Sequence, residues 1–283
     1  MKKVLVAALF CAVSSFATWD YFPVKEAGKG EAKVGFGYLI NAGGEEKFSV
    51  IGAEFGARYS IIEGLEAALY VPFMLSASYD GESCKAEGDT VCPPSYGQPT
   101  IGVRYWLPFG LGIALDVDLP FQGDAFAGFE KDAAKGTPLN FHPAIQYSTN
   151  LTTELSVGAE VGVSIYGENS ETKLKDGMDL GIGVEFDYEI GSITPYVGVD
   201  VALGLGKPTY DGKDIPDSEA AKTGIDVGIG STFKISDSMA ADVGVILGFG
   251  GRYESEEFNE TTLKVETKSV MPITIQAHFS YNF

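Results

Sequence analysis

Along residues 65–75 (LEAALYVPFML), Leu65, Ala67, Leu69, Val71, Phe73 and Leu75 share one parity, and Glu66, Ala68, Tyr70, Pro72 and Met74 the other. A period of two with one apolar side is the mark of a strand. Residues 111–121 repeat it. Leu111, Ile113, Leu115, Val117, Leu119 and Phe121 face one way, against Gly112, Ala114, Asp116, Asp118 and Pro120. Residues 155–165 do so again with Leu155, Val157, Ala159, Val161, Val163 and Ile165. The alternation predicts strands near 31–41, 47–60, 65–76, 99–107, 111–122, 139–149, 153–166, 178–190, 193–205, 223–235, 239–253 and 270–283. Many reach the roughly 9–11 residues that a tilted strand needs to cross a bilayer. Strands of soluble sandwiches average about 5–6.

The connections alternate in length. Tight turns are read at 61–64, 108–110, around Asn150, at 191–192 and at 236–238, and long polar segments at 77–98, 123–138, 167–177, 206–222 and 254–269. Short periplasmic turns opposite long outer loops are the habit of outer-membrane barrels. The expected fold is therefore all-β: a closed, up-and-down, antiparallel transmembrane barrel of about twelve strands, with both termini on the periplasmic side. Tyr59, Tyr105, Tyr147, Tyr188 and Phe233 fall on the outward parity near the short turns, and Phe36, Tyr38, Phe73, Phe121 and Phe249 toward the other rim, as interfacial girdles require; β-propensity alone also favours aromatics in strands. At the C-terminus Ala277, Phe279, Tyr281 and Phe283 alternate and end the chain on an aromatic. This ending resembles the terminal strand of outer-membrane barrels, which implies recognition of Phe279, Tyr281 and Phe283 by the barrel-assembly machinery.

The N-terminus has a different pattern. Lys2 and Lys3 precede an apolar run, 4–17, too short to span a bilayer as a helix. Ser15 and Ala17 suit a signal peptidase, so residues 1–17 are expected to be a removed leader and 18–283 one barrel domain with a short periplasmic segment at its start. Lipidation at Cys11 is disfavoured by the bulk of Phe10. An exported chain, 45% hydrophobic yet without another apolar helix, fits either a soluble β-rich protein or a membrane barrel. The barrel reading places the exported chain in the outer membrane, with its lipids as surroundings.

The net charge of −19 excludes a nucleic-acid partner, since phosphate recognition needs a basic surface. With Cys11 in the leader, Cys84 and Cys92 are left as a close pair, read as one disulfide in the longest outer loop. Zinc is the alternative, but no histidine lies nearby.

Little chemistry is visible, and no enzyme, cofactor or metal is expected. The two histidines, His142 and His278, take the lumen parity, and no local motif joins either to a serine or carboxylate as a triad requires. Pairs such as Gly35/Gly37, Gly181/Gly183 and Gly228/Gly230 lack the third glycine and the helix of a phosphate loop. Glycines of lumen parity, among them Gly52, Gly102, Gly112, Gly158, Gly162, Gly183, Gly198 and Gly228, are expected to leave space. The candidate pore-lining residues are Glu54, Asp116, Asp118, Glu160, Glu185, Asp187 and Asp200, with the waist at Asp116, Glu160, Glu185 and Asp200. They outnumber the inward bases Lys33, Arg58, Arg104 and Lys234. Either the acids pair with those bases in a packed polar core, or they line a hydrated path that favours cations.

Three segments carry a family resemblance. One ends in Leu69-Tyr70-Val71-Pro72-Phe73, the next is Gln98-Pro99-Thr100-Ile101-Gly102-Val103-Arg104-Tyr105, and the third runs from Ala114 through Leu119-Pro120-Phe121-Gln122-Gly123. The pattern resembles the outer-membrane channel family named for the meta pathway of phenol degradation. Gly97-Gln98-Pro99 stands where that family has Gly-Asp, and Pro120-Phe121-Gln122-Gly123 where it has Pro-Thr-Gly. The resemblance implies a barrel that passes small, often hydrophobic, molecules and carries no catalytic residue across. The expected function is a passive channel for small solutes, cation-preferring or permeable to small hydrophobic compounds. The alternative is a structural or adhesive barrel with a blocked lumen and functional outer loops.

Overall fold

In the computed structural model the alternating segments form twelve barrel strands, each antiparallel to its neighbours. They are β1 (Gly30–Gly44), β2 (Phe48–Ile62), β3 (Leu65–Tyr79), β4 (Thr100–Trp106), β5 (Leu111–Asp118), β6 (Asn140–Asn150), β7 (Leu155–Ser164), β8 (Asp179–Tyr188), β9 (Ile193–Gly204), β10 (Gly224–Lys234), β11 (Met239–Asn259) and β12 (Thr262–Asn282). The structure describes residues 3–5, 21–23, 26–44, 47–79, 82–83, 96–120, 136–171, 173–215, 223–259 and 262–283, with the backbone alone for 3–5, 44, 79, 82–83, 251–259 and 262–270. Each strand pairs with the next, and β12 pairs with β1 from Ile273↔Ile40 to Asn282↔Glu31. That last ladder closes the sheet, so the wall leaves no open edge for lipid to meet.

The two-residue period becomes a separation of inside from outside. On β2, Ile51, Phe55 and Tyr59 are exposed while Val50, Arg58 and Ser60 are buried. Across the wall the register sets Ile113 beside Ile145, Ile145 beside Val161, Val161 beside Ile182 and Ile182 beside Val201. The outward apolar positions thus form a continuous band, as lipid contact demands. Tyr59, Tyr105, Tyr147, Tyr188 and Phe233 lie exposed toward the short-turn rim, and Phe36, Tyr38, Phe73 and Phe249 toward the other. Phe121 lies outside the described residues.

The short turns have local causes. Gly64 (φ 77°) and Gly110 (φ 86°) take left-handed backbone that closes the β2–β3 and β4–β5 hairpins. At Gly110 a side chain would also strike the Ser148 carbonyl, 2.3 Å from where its Cβ would stand. In the β6–β7 turn, Thr152 Oγ1 accepts from the Glu154 and Leu155 amides at 3.1 and 3.0 Å. The barrel's two chain ends meet at the same rim: the Gly30 amide donates to Phe283 O at 2.9 Å and the Phe283 amide to Gly30 O at 3.0 Å.

Three expectations about the long connections change. Residues 254–269, read as a loop, are strand: β11 and β12 run 21 residues each and pair up to Asn259↔Thr262, past an irregularity between Gly250 and Tyr253. The strand read to 122 stops at Asp118; Leu119 still donates to Pro99 O at 2.8 Å, but Pro120 has no N–H to offer. On the outer side, Leu174–Lys175, Thr209–Tyr210 and Lys213–Asp214 join two of the loops in a small sheet of their own. Cys84 and Cys92, with their proposed bridge, lie outside the described residues.

Candidate functional site: the acidic lumen

The inward side chains gather in four groups. Toward the outer rim, Asp118 of β5 is the hub. Thr100 Oγ1 donates to its Oδ1 at 2.7 Å, Asn140 Nδ2 to its Oδ2 at 3.3 Å, and His142 Nε2 lies 2.9 Å from Oδ2. His142 Nδ1 stands 2.9 Å from Ser164 Oγ. Gln98 ties the approach to β4 across the strand ends, donating to Leu119 O at 3.1 Å and Pro138 O at 2.7 Å.

A second group joins β1, β2, β3, β9, β11 and β12. Glu54 faces Lys33 Nζ at 3.4 Å and His278 Nε2 at 3.1 Å, and accepts from Tyr70 OH at 2.9 Å. The other nitrogen of His278 lies 3.1 Å from Asp242 Oδ1, to which Tyr196 OH also donates at 3.3 Å. His278 therefore bridges two carboxylates across the seam where the barrel closes.

The third group fills the end near the short turns. Arg58 places Nη2 2.8 Å and Nε 2.9 Å from Glu31 Oε2, with Glu66 Oε2 at 3.8 Å from Nε. Glu66 and Arg104 are each 1% exposed. The Trp106 indole lies on Gly112, where an added Cβ would come within 3.0–3.2 Å of three ring atoms. Gln146 Nε2 donates to Glu160 Oε2 at 2.7 Å, and both residues are buried.

The fourth group contains a residue from outside the wall. Tyr21, nine residues before β1, is buried inside the barrel and donates its hydroxyl to Asp200 Oδ1. Glu160 and Glu185 act electrostatically on the same hydroxyl. Asp200 stands opposite Gly183 on β8 and opposite Asp226 on β10, so two carboxylates share one rung of the ladder, an arrangement that costs stability unless other groups intervene.

The seven candidate pore-lining acids are thus divided. Asp200 accepts from Tyr21, on whose hydroxyl Glu160 and Glu185 also act electrostatically; Asp118 belongs to the outer group and Glu54 to the seam. Asp116 is 2% exposed, pairs in register with His142 and acts on Glu160. Asp187 is half-buried, opposite Ser156 and Tyr196. Of the inward bases, Lys33, Arg58 and Arg104 are as read, whereas Lys234 sits at the rim, 59% exposed, on Asp237 at 2.9 Å. The glycines also differ from the expectation of empty space. Gly112 seats Trp106, and Gly158 and Gly183 seat Tyr21. Sequence reading missed Asp226 and Asp242, although the outward Ile225, Ile229, Val243 and Val245 fix their parity. It also missed Tyr21, which no periodicity marks.

Asp118, His142 and Ser164 form the hydrogen-bonded chain that a triad would need. Among the described residues its surroundings supply no more of such a site. Ser164 is 2% exposed, leaving no room for an acyl group. The neighbouring amides are occupied: Ile165 donates to Phe141 O at 2.9 Å and Gly167 to Asn140 Oδ1 at 3.1 Å, so neither is aimed at an oxyanion. The chain acts here as a polar clamp between β5, β6 and β7.

Comparison with known proteins agrees with this geometry. A family described as "Opacity family porin protein" matches residues 145–269. The fold is similar to that of an outer membrane channel from Pseudomonas putida F1, with a TM-score of 0.67 and 15% identity over 94% of this chain and 99% of that one. It is also similar to the NanC porin, with a TM-score of 0.50 and 8% identity over 88% of this chain and 98% of that one. No curated protein sequence matches. At these identities the likeness is one of fold, that of an outer-membrane β-barrel.

Proposed function

We propose that this chain is a passive outer-membrane channel for small solutes, exported by a leader at 1–17 and inserted as a single barrel over 18–283. The carrying observation is a closed twelve-stranded wall, apolar outside, around an interior that holds Glu54, Asp116, Asp118, Glu160, Glu185, Asp187 and Asp200. Twelve strands enclose more than the eight-stranded barrels that side chains fill, and less than a 16-stranded porin. The porin-like match over 145–269 and the channel fold of the Pseudomonas putida F1 protein support the reading. Phe279, Tyr281 and Phe283 stand exposed on the outer face of the last strand, where assembly machinery can read them. No catalytic residue is assigned.

An acid-lined path favours cations over anions. The waist is assigned to Asp116, Glu160, Glu185 and Asp200, of which Glu185 and Asp200 are only half-buried. Reversal potentials in a KCl gradient across a planar bilayer test this. The expected result is cation preference that falls when Glu185→Gln and Asp200→Asn are combined. Anion preference in the unmodified protein overturns the selectivity. The second reading is a structural barrel with a blocked lumen, favoured by the burial of Arg104, Gln146 and Glu66. A folded protein that never conducts, even with its interior cleared of Tyr21, would establish that reading instead.

A further inference from the structure

Tyr196 of β9 is half-buried and reaches over two neighbouring strands. A Cβ added to Gly230 of β10 would overlap its Cζ and its hydroxyl oxygen, and one added to Gly244 of β11 would stand 2.5 Å from that oxygen. Tyr196 is opposite Gly230 in the ladder, and Gly230 is opposite Gly244. The phenol therefore lies along the inner wall on a bed of two glycines instead of pointing across the lumen, and the side turned from the wall is turned to the interior. Its polar end is tied. The hydroxyl donates to Asp242 Oδ1 at 3.3 Å, Gln276 of β12 hydrogen-bonds it as well, and Glu185 acts on it electrostatically.

Two residues toward the outer rim the wall is bare. Gly198 and Gly228 oppose one another. A Cβ at Gly198 would come no nearer than 3.5 Å to Glu185 Oε2 and Val184 O, and one at Gly228 would stand 3.9 Å from Ile246 Cγ1. These are ordinary contact distances, unlike those at Gly112, Gly158 and Gly183, which seat aromatic rings. Two residues further out, Asp200 and Asp226 stand abreast. Along β9 and β10 the inner wall thus presents a pair of carboxylates, an open glycine floor and a ring tied to another carboxylate, in steps of about 6.7 Å. Residues 179–187, 196–204, 224–232 and 240–248, which build this side of the barrel, include no Lys, Arg or His. A cation moving along it meets no repulsion from the wall it touches.

Carboxylates attract every cation and do little to tell one from another. An aromatic face does discriminate, because an organic ammonium ion, weakly hydrated, brings its charge to the ring at little cost in lost water. We propose that Tyr196 is a specificity-determining residue of the lumen, favouring organic ammonium cations over alkali cations through its interior face, with Asp242 holding the ring flat on its glycine bed. The inference rests on the channel reading above and names the class of solute that the channel prefers.

Reversal potentials with tetramethylammonium chloride on one side of a planar bilayer and KCl on the other give the permeability ratio of the two cations. The unmodified protein is compared with Tyr196→Leu and Tyr196→Phe, each checked for folding by heat-modifiable mobility on gels. Tyr196→Leu is expected to lower the tetramethylammonium-to-K+ ratio about two- to fivefold, the weight of a cation over a water-exposed ring, and to leave the preference for K+ over Cl− unchanged. Tyr196→Phe keeps the face and is expected to keep most of the ratio. A purely steric role has the opposite sign, since the smaller leucine widens the passage and raises the ratio. A raised or unchanged ratio in Tyr196→Leu, or an equal fall in Tyr196→Phe, overturns the proposal. Should Tyr196→Leu fail to fold, Gly230→Ala, which lifts the ring from its bed, takes its place with the same fall expected. Saturation-transfer NMR of tetramethylammonium with the folded protein in micelles separates this inference from the channel reading. Binding that is lost in Tyr196→Leu, in a protein that never conducts, keeps the site and overturns the channel. Conduction with equal binding in both proteins overturns the role of Tyr196 alone.

Discussion

Replacing Arg58 with methionine probes how the barrel tolerates charge at its periplasmic end. The guanidinium lies 2.8 and 2.9 Å from Glu31 Oε2 and 3.8 Å from Glu66 Oε2. Arg58 and Glu31 are each 8% exposed and Glu66 is 1% exposed. At an effective dielectric constant of about 20, two unit charges 4 Å apart interact by about 4 kcal/mol. Removing the cation forfeits that attraction and leaves two carboxylates near one another with little water to screen them. Taking away one partner of a buried pair costs about 3–5 kcal/mol. The lower half of that range is expected here, because the rim lets some water in. Methionine keeps most of the buried stem volume, so the loss reports charge rather than packing. The assay is reversible urea unfolding of the barrel in lipid vesicles, followed by tryptophan fluorescence. Arg58→Met is expected to destabilise by about 3 kcal/mol, and adding Glu31→Gln to restore about half of it, since the second change removes the stranded charge. A loss below about 1 kcal/mol, or strict additivity of the two changes, would refute the claim that this group is held by its buried charges.

Two further outcomes test the wall itself. Gly112→Val puts a branched side chain where a single Cβ already comes within 3.0 Å of the Trp106 ring; it is expected to cost about 1–3 kcal/mol by overpacking, and unfolding no more easily than Gly112→Ala would contradict the seat. Ile182→Arg, in the middle of the outward band, is expected to cost about 2–4 kcal/mol in vesicles, and Ile190→Arg, exposed in the short β8–β9 turn, about 0–1 kcal/mol. Equal costs would mean that the band does not face lipid.

Much of the architecture was legible in one dimension because a strand's period is two and lipid demands an apolar outer face. Leu115 against Asp116, and Val161 against Glu160, take opposite sides by parity alone, and the structure keeps both assignments. The strand count and the shared rim of the two ends also follow from the sequence, through the alternation of short and long connections. Residues 254–269 were not legible in this way. The β11–β12 hairpin continues as a ladder to Asn259↔Thr262 through a stretch rich in charged residues, which composition marks as a loop although its backbone pairs. The inward parity of each acid could be read as well, including Asp226 and Asp242. What parity cannot supply is company. Whether Asp118 meets His142 depends on the register of β5 with β6, and whether Glu54 meets His278 depends on the ladder between β12 and β1 that closes the sheet. Tyr21 and Asp200 are 179 residues apart, and residues 21–23 carry no period that would direct them to a seat. The β7–β8 and β8–β9 ladders set Gly158, Gly183 and Asp200 close together on adjoining strands, and closure of the barrel makes the enclosed space that the ring occupies. The sequence alone determined a wall with an apolar outside and an acidic inside; the tertiary structure decided what stands in the middle, because the interior of a barrel exists only after its first and last strands have met.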